Sequence, residues 1–482
     1  MKHAERFLPV VLFLSLLAVY GMTLAPGLTW ANRGADGGDL LTAAATGGVP
    51  HPTGYPVYLL LARLFQFLPI GSLAFRTNLL SALAAAGASV LVYKLVTRSL
   101  PSRNQLAGLI SGCAFGLSPL LWSQAVITEV YTLHALFIAL ILYWSVFPLF
   151  TDKKKSDLAL GLAIGIALGN HLTTILLLPV LLVPSSSIQD KRWRMDFRCL
   201  LHRLSGMALG LLVYLILPLR ALTHPPINWG NPMTWKGFSW LVSGRLYQDE
   251  VFALTLPSLW ERIQSALTLL VNQFGILGLC VSLLGCIFFM RRSPIFFKTL
   301  WILTSFSIFA IVYITEDSFV YFISPVMCFA VWIGLGVDGL MQIASRRIPH
   351  LSWAVVLLVL ISLIFVAREN WSQVDASQDA RAEQFGMLVM SQMPEDTLVF
   401  VQGDPAIFSL WYYHYALHQR TDIAVIAIEL LQFDWYQDTL KNTYPSLSIP
   451  GPYPFPDTLI AANPNRPVCI VEYDGQANIR CP

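Results

Sequence analysis

Apolar runs long enough to cross a bilayer recur along most of the chain, and they constrain its fold more than any other feature. A hydrocarbon core about 30 Å thick is spanned by roughly 20 apolar residues in a helix. The chain is 55% hydrophobic and 12% charged, whereas soluble domains contain about 25% charged residues. We therefore predict a polytopic α-helical membrane protein with about eleven transmembrane helices. The runs lie near 8–26, 75–97, 105–121, 131–150, 157–169, 171–184, 204–222, 264–290, 296–314, 320–343 and 351–367.

The structures of four apolar segments are left open by the sequence. The run 8–26 has a basic start but no clear small-residue cleavage site after it, so we interpret it as a retained span rather than a signal peptide. The segment 55–69 is short and carries Arg63, which indicates an interfacial or re-entrant helix. The runs 157–169 and 171–184 resemble a hairpin of two half-length helices, with His171 at the bend.

The placement of lysine and arginine predicts the orientation of the chain. If the N-terminus is cytoplasmic, every cytoplasmic segment is basic, whereas the outer loops contain "ADGGD", "TEVY" and "TEDS". The C-terminal part would then lie outside the cytoplasm, in a bacterial plasma membrane or in the endoplasmic reticulum of a eukaryote. A net charge of +3 gives no indication of nucleic-acid binding. The proposed cytoplasmic segments are 1–7, 92–104, 151–157, 185–203, 291–298 and 344–349.

The composition changes near Glu369, which predicts two domains. Residues 1–368 form the membrane module, with a first outer loop over 27–56, and residues 369–482 form a soluble domain. In that domain, short apolar runs alternate with helical patterns, which indicates a small α/β layer with a mostly parallel sheet. Cys469 and Cys481 could pair on an oxidising face or remain separate thiols.

The first outer loop contains the unusual stretch "ADGGDLLTAAATGGVPHPTGYP". Asp39 has a plain structural explanation, because acids are favoured at the start of a helix. Asp36 has no such explanation, and a carboxylate that enters a cavity between spans is usually functional. The prolines around His51 hold the chain extended. His51 is then either incidental or, together with Tyr55, aimed into a pocket.

Further polar residues fall on the predicted outer side. Glu129 and His134 begin one span, where Tyr131 alone could serve as an interfacial anchor. The sequence "TEDS" adds Glu316 and Asp317. Arginine binds phosphate through two parallel hydrogen bonds, although interfacial arginines also bind lipid headgroups without specificity. The arginines in question are Arg63, Arg76, Arg220 and Arg245. Together these groups predict an outer cavity that suits an anionic amphiphile.

The stretch "DGGDLLTAAATGGVPHPTGYPVYLLLARLFQFLPIGSLAFRTNLLSAL" resembles the N-terminal signature of a membrane family in the glycosyltransferase-C (GT-C) superfamily, which includes protein O-mannosyltransferases. The blocks "TEVYTLHALF", "GNHLT", "INWGNP", "DSFVYFISP" and "GDPAIFSLWYYHYALHQRTDIAVI" are also similar to that family. The chain departs from the family pattern at Asp39, in place of Glu, at Thr53, in place of Pro, and at Asn231, in place of Asp.

The resemblance implies a GT-C-like membrane module with a small extracytoplasmic α/β domain, and an enzyme that uses a polyprenyl-phosphate sugar. The sugar, mannose in the named relatives, would pass to a protein Ser/Thr or a glycan hydroxyl with inversion. Asp36 would be the general base, with Asp39 as the second catalytic acid. A divalent metal near Asp36 is left open, and no cofactor is implied. The implied donor- and phosphate-binding residues are His51, Arg63, Arg76, Glu129, His134, His171 and Arg220, and the implied acceptor- or cavity-lining residues are Tyr55, Tyr131, Trp229, Arg245 and Asp317.

Three functions therefore remain open from the sequence. A transporter or flippase for a lipid-linked sugar would use the same acids and bases without chemistry, although we find no inverted repeat of the kind that many transporters contain. The third possible function, besides an enzyme and a transporter, is a non-catalytic sensor with an external α/β domain. The aromatic residues of the C-terminal domain either stack on a ligand or form its core: Trp411, Tyr412, Tyr413, Trp435 and Tyr436.

Overall fold

The computed structural model describes residues 2–182, 197–251, 253–290, 294–315, 317–347, 350–451 and 455–481. Glu316 and much of the predicted basic loop 185–203 therefore lie outside the described residues. The first part of the chain forms α1 (Lys2–Thr23), α2 (Gly37–Thr46), α3 (Pro56–Gln66), α4 (Leu73–Ser99), α5 (Gln105–Gly116), α6 (Pro119–Ala125), α7 (Tyr131–Val146), α8 (Lys153–Leu168) and α9 (Leu178–Leu182).

Longer helices dominate the middle of the chain. They are α10 (Phe197–Leu211), α11 (Ile216–Ala221), α12 (Trp235–Val242), α13 (Leu256–Phe289), α14 (Pro294–Val312), α15 (Ile323–Arg347), α16 (Leu351–Glu369) and α17 (Trp371–Val374).

Six stretches of the described helices are long and apolar enough to cross a membrane, and α5 with α6 would make a seventh if that bent pair is one span. The chain is therefore a polytopic helical membrane protein. The predicted number of eleven spans stays a prediction, because α1 and α7 are shorter apolar helices. The six stretches are Leu73–Ser99, Phe197–Ala221, Leu256–Phe289, Ile295–Val312, Ser318–Arg346 and Ser352–Glu369.

The bend of 64° between α5 and α6 has a local cause. Pro119 is the first residue of α6, and the preceding Ser118 has an extended backbone (ψ 128°). A proline cannot donate the helical hydrogen bond, and it disfavours helical geometry in the residue before it. The predicted continuous span 105–121 is therefore broken at this point.

The predicted half-length helix over 171–184 is less regular than expected. His171 has an extended backbone and is followed by a 3₁₀ segment, Leu172–Leu177, and then by α9, while residues 183 and 184 lie outside the described part. The imidazole of His171 accepts a hydrogen bond from the backbone N–H of Thr173 (3.3 Å). Such a side-chain bond competes with helical backbone bonds, which explains the tight turn.

Helices α8 and α10 approach so closely that their glycines are required. A Cβ atom at Gly161 would lie 1.9 Å from the backbone oxygen of Arg203, and one at Gly206 would lie 2.1 Å from the backbone oxygen of Leu158. Small residues spaced four apart allow this backbone contact between membrane helices. The pair forms one side of the bundle.

The last hundred residues form an α/β unit. Its sheet has the order β2-β1-β3-β4, in which β1 is parallel to β2 and β3, and β4 is antiparallel to β3. Cys469 and Cys481 are joined by a disulfide. The elements are α18 (Arg381–Gln392), β1 (Leu398–Gln402), α19 (Asp404–Trp411), β2 (Ala424–Ala427), α20 (Asp434–Thr443), α21 (Pro456–Ala462), β3 (Val468–Tyr473) and β4 (Ala477–Arg480).

The α/β unit packs directly on the first loop of the membrane module. The ring of Trp30 lies 4.2 Å from that of Tyr473, centroid to centroid. Asp379 accepts hydrogen bonds from the Thr29 hydroxyl (2.6 Å) and from the Trp30 backbone N–H (3.0 Å). At Gly38, a Cβ atom would lie 2.4 Å from the backbone oxygen of Phe408. The loop that carries the predicted acids is thus held between the two parts.

The contact between α8 and α10 gives a stability prediction. In Gly161→Ala, the new methyl group meets a backbone atom that cannot turn away, and such overpacking costs about 1–3 kcal/mol. We expect a lower midpoint of thermal unfolding, measured by fluorescence in detergent. The control is Gly21→Ala, because nothing lies within 4 Å of a Cβ at Gly21. Equal midpoints for the two variants would contradict the proposed contact.

Candidate active site

Asp39 is the buried centre of the first loop. Its side chain is inaccessible to solvent and accepts hydrogen bonds from the His51 ring Nδ1–H (2.7 Å), the His51 backbone N–H (2.9 Å) and the Trp229 indole N–H (3.3 Å). A buried carboxylate is costly unless such donors surround it. Asp39 therefore fixes the position and the orientation of the His51 ring.

The segment that carries His51 is fixed from a second side. The backbone of Val49 exchanges hydrogen bonds with residues 227 and 229, through Val49 N–H to the Ile227 oxygen (2.8 Å) and Trp229 N–H to the Val49 oxygen (3.1 Å). The His51 ring lies within 5.1 Å of the Tyr55 ring and 6.4 Å of the Phe408 ring, between centroids. Since Phe408 belongs to α19, the α/β unit also positions the imidazole.

The other face of the imidazole meets Asp36. His51 Nε2 lies 3.6 Å from Asp36 Oδ2, and the Asp36 side chain is 36% exposed, towards a cavity. Burial raises the pKa of Asp36 to about 6, against the lowering effect of the His51 charge. Burial would lower the pKa of His51, but Asp36 and Asp39 together raise it to about 9. Near neutral pH, His51 is therefore a cation between two carboxylates.

The cavity beside Asp36 has a volume of about 790 Å³. Its walls come from the first loop, from the membrane helices and from the α/β unit. Seven of the residues predicted from the sequence line it: Asp36, His51, Tyr55, Glu129, Tyr131, His171 and Asp317. The structure thus brings together residues that are nearly 300 positions apart in the chain.

Two of these residues are linked across the cavity wall. The Tyr131 hydroxyl donates to Asp317 Oδ2 (2.8 Å). Glu129 is buried, and its carboxyl group lines the cavity beside the backbone N–H of Val130.

The two histidines of the wall share one hydroxyl. Thr173 Oγ1 lies 2.8 Å from His171 Nδ1 and 3.0 Å from His134 Nε2. His171 lines the cavity, whereas His134 is buried behind it. The hydroxyl proton can be donated to only one ring, so the other ring donates to Thr173. His134 is therefore linked to the cavity wall through Thr173 and His171.

The structure does not bring the four predicted arginines into the cavity. Arg76 donates to the backbone oxygens of Gln66, Ile70 and Gly71. Arg220 donates to those of Ala43 and Gly48. Both residues fix the turns around α2 and α3, because an uncapped carbonyl oxygen is a strong acceptor for a guanidinium group.

The two remaining arginines are also occupied elsewhere. Arg63 lies over the ring of Phe67, 4.8 Å from its centroid. Arg245 is exposed and donates to Gln248 (2.9 Å). Trp229, expected at the cavity, instead lies behind it against Asp39.

Two other arginines line the cavity, and sequence reasoning missed both. Arg33 lies over the ring of Phe319, at 4.7 Å, and Arg381 pairs with Asp379 (2.6 Å) at the start of α18. Arg33 could have been found from its position three residues before Asp36. Nothing in the sequence near Arg381 indicated that this arginine reaches the cavity.

Most of the predicted aromatic residues of the C-terminal part belong to its core. Trp435 is only partly buried, and its ring packs 5.5 Å from that of Trp229. The other four are buried: Trp411, Tyr412, Tyr413 and Tyr436. Among the described residues, no three His, Cys, Asp or Glu side chains converge on a point where a metal ion would bind.

Comparison with known proteins identifies two family domains in the chain. The Protein O-mannosyl-transferase TMEM260 N-terminal domain matches residues 36–193, and the TMEM260-associated domain 2 matches residues 382–464. Protein O-mannosyl-transferase TMEM260 of Mus musculus is 28% identical over 92% of this chain and 65% of its own length. The Dictyostelium discoideum protein of that name is 25% identical over 92% of this chain and 60% of its own length. The chain thus spans less than two thirds of these relatives.

Solved structures show the same fold. ArnT from Cupriavidus metallidurans bound to undecaprenyl phosphate superposes with a TM-score of 0.61 at 12% identity, over 96% of this chain and 93% of ArnT. The structure of ArnT in the apo state superposes with a TM-score of 0.54 at 13% identity, with the same coverage of both chains. The family resemblance predicted from the first loop is confirmed: the two matched domains together cover half of the chain, which belongs to the TMEM260 family of protein O-mannosyl-transferases and has the fold of ArnT.

Proposed function

We propose that the protein transfers a sugar from a polyprenyl-phosphate donor to an acceptor hydroxyl, with Asp36 as the general base. The observation that carries this proposal is the arrangement Asp39–His51–Asp36, which presents one carboxylate to a large cavity. The names of the relatives support a protein hydroxyl as the acceptor and mannose as the sugar. The undecaprenyl phosphate bound to ArnT supports a lipid-linked donor.

The reaction would proceed by a single displacement. As the acceptor oxygen bonds to the anomeric carbon, Asp36 takes its proton, and the bond from that carbon to the phosphate oxygen breaks. The pair of electrons in this bond leaves with the polyprenyl phosphate. Because the acceptor attacks opposite the leaving group, the anomeric configuration inverts. General-base assistance contributes roughly 10²–10⁴-fold to the rate.

His51 is suited to positioning Asp36 rather than to accepting the proton. Its pKa of about 9 means that His51 already carries a proton near pH 7. The cation lies 3.6 Å from Asp36 and favours its ionised form. Asp39 would thus be a positioning residue rather than a second base, because it is fully buried and accepts three hydrogen bonds.

The charges of the cavity suggest where the two parts of the donor bind. Arg33 and Arg381 are the guanidinium groups on its lining and would stabilise the leaving phosphate. Glu129 would repel a phosphate at close range, so we place it against the hydroxyl groups of the sugar. Asp317, which accepts a hydrogen bond from Tyr131, would likewise face the hydroxyl groups of the sugar.

The proposed topology follows from the basic loops of the sequence. With the N-terminus in the cytoplasm, the first loop and the α/β unit lie on the outer face, and transfer occurs there. The α/β unit would complete the cavity, since Arg381, Asp404 and Tyr473 form part of its lining. We also propose that the membrane module ends near residue 368 and that the rest of the chain forms the outer domain.

Replacement of Asp36 tests the base directly. We expect Asp36→Asn to lower transfer by 10²–10⁴-fold, measured as release of free polyprenyl phosphate from a panel of polyprenyl-phosphate sugars in nanodiscs. Asp438→Asn, at an exposed acid of α20, is the matched control and keeps full activity. Full activity in folded Asp36→Asn would contradict the role of Asp36. Saturable donor binding without turnover in the wild type would favour the transporter.

The proton balance of the site gives a pH prediction. Transfer requires ionised Asp36, so the rate falls as the pH drops through about 6. In His51→Gln, the opposing cation is lost, the pKa of Asp36 rises further, and the acidic limb of the pH–rate profile moves to higher pH. Tyr55→Phe, which changes no charge beside His51, leaves the limb in place. An unmoved limb in His51→Gln would show that His51 does not tune Asp36.

Variants of two arginines can distinguish the phosphate-binding residues proposed from the structure from those predicted from the sequence. We expect Arg33→Gln to raise the KM for the donor by about tenfold, because one charged partner of the phosphate is lost. Arg63→Gln, in the same region but outside the cavity lining, leaves this KM unchanged. Steady-state kinetics with varied donor measures both. The reverse pattern would contradict the assignment of the phosphate end of the cavity.

A further inference from the structure

Helix α13 is too long to lie wholly within a bilayer. It has 34 residues, which corresponds to roughly 51 Å at 1.5 Å per residue, whereas the hydrocarbon core is about 30 Å thick. Its backbone is interrupted at Gly275, where φ is +66°. The polar side chains of the helix concentrate before this point, among apolar ones such as Leu267, so we expect the helix to leave the core at that end, which adjoins the catalytic cavity.

The first half of α13 carries a polar stripe along one face. Residues separated by three, four, seven and eleven positions lie on the same side of a helix. The stripe consists of Glu261, Gln264, Ser265, Thr268 and Asn272, and all five residues line a second cavity of about 730 Å³.

The opposite walls of this second cavity combine polar residues with apolar ones such as Leu120 and Val374. They include Ser123, Asn370 and Gln373, and only one aromatic ring, that of Phe319, is part of the lining. We refer to this cavity as the polar groove. The catalytic cavity differs sharply, because it is lined by eight aromatic rings: Trp30, Tyr55, Tyr131, Tyr247, Phe309, Tyr313, Tyr321 and Tyr473.

Several groups in the polar groove are available to a ligand. Within the described residues, the side chains of Gln264, Ser265, Asn272 and Gln373 make no hydrogen bond to the protein. Polar groups without a hydrogen-bond partner are energetically unfavourable in contact with lipid, whereas in a hydrated binding site they can bond to water or to a ligand. The wall is also fixed in place, because Arg262 donates to the backbone oxygens of Ala310, Ile311 and Tyr313.

The polar groove adjoins the catalytic cavity. Asn32 and Arg33 line both. These two residues have left-handed backbones, with φ of +53° and +63°, and non-glycine residues in this region cluster at functional sites. The Asn32 amide donates to the Val374 backbone oxygen (3.0 Å). Since Asp36 follows three residues later, a ligand in the groove can extend one group towards the proposed base.

We infer that the polar groove binds an extended polypeptide segment of the acceptor, an inference that rests on the glycosyl transfer proposed above. Six carboxamide side chains line it: Asn32, Gln273 and Asn370 bond to the protein backbone, whereas Gln264, Asn272 and Gln373 make no hydrogen bond to the described residues. A carboxamide both donates and accepts, as a peptide group does. From residue 261 to 272 the stripe is roughly 16 Å long, the length of about five residues of extended chain.

The experiment uses the full chain in nanodiscs with a lipid-linked sugar and nine-residue peptides that carry one central Ser or Thr. We expect the double variant Gln264→Ala/Asn272→Ala to raise the KM for the peptide by about tenfold, with kcat changed less than twofold. Release of polyprenyl phosphate to water, measured without peptide, stays at the wild-type rate. Leu267→Ala, at an exposed residue outside the groove lining, changes none of these values.

A second measurement does not depend on a variant. A peptide with a photoreactive benzophenone near its Ser or Thr should crosslink the wild type within residues 261–273 or 370–374. An unchanged peptide KM in the double variant, or crosslinks only within the catalytic cavity, would overturn the inference. Donor hydrolysis with transfer to a glycan and to no peptide would overturn it while leaving the proposed function intact. Absence of any donor turnover would instead overturn the proposed function, and this inference with it.

Discussion

The site depends on one buried carboxylate. Asp39 is inaccessible to solvent, and its two oxygens accept hydrogen bonds from the ring and backbone of His51 and from Trp229. A buried charge with these partners tolerates little movement, because each lost donor leaves the charge unsatisfied. His51 is thereby fixed between two acids, and Asp36 is presented to the cavity beside a cation. The position of the proposed base thus follows from the burial of its neighbour.

The fold around this carboxylate was largely predictable from the sequence, and its exceptions have local causes. Every predicted apolar run contains described helical residues, because hydrophobic length is a direct physical requirement of the bilayer. The run 105–121 is broken at Pro119, and the run 171–184 begins as a 3₁₀ segment beside His171. The contacts of Trp30 and Gly38 with the α/β unit were not predicted, because such long-range contacts leave no periodic signal.

The candidate site was predictable where its residues are close in sequence. The first loop gave Asp36, His51 and Tyr55, which lie on one cavity wall. The arginines were misplaced because charge alone does not reveal whether a guanidinium group meets a ligand or a backbone oxygen, as Arg76 does. The partnership of Asp39 with Trp229 joins residues 190 positions apart, and the contribution of the α/β unit to the lining required the structure.

The stereochemistry of transfer tests the central claim most directly. A product formed on a preparative scale from a donor of known anomeric configuration can be assigned by the one-bond C–H coupling at its anomeric carbon in NMR. The account predicts inversion, because Asp36 activates the acceptor for a single displacement. Retention would contradict it, since two successive displacements would then be needed and a carboxylate such as Asp36 would act as the nucleophile rather than the base.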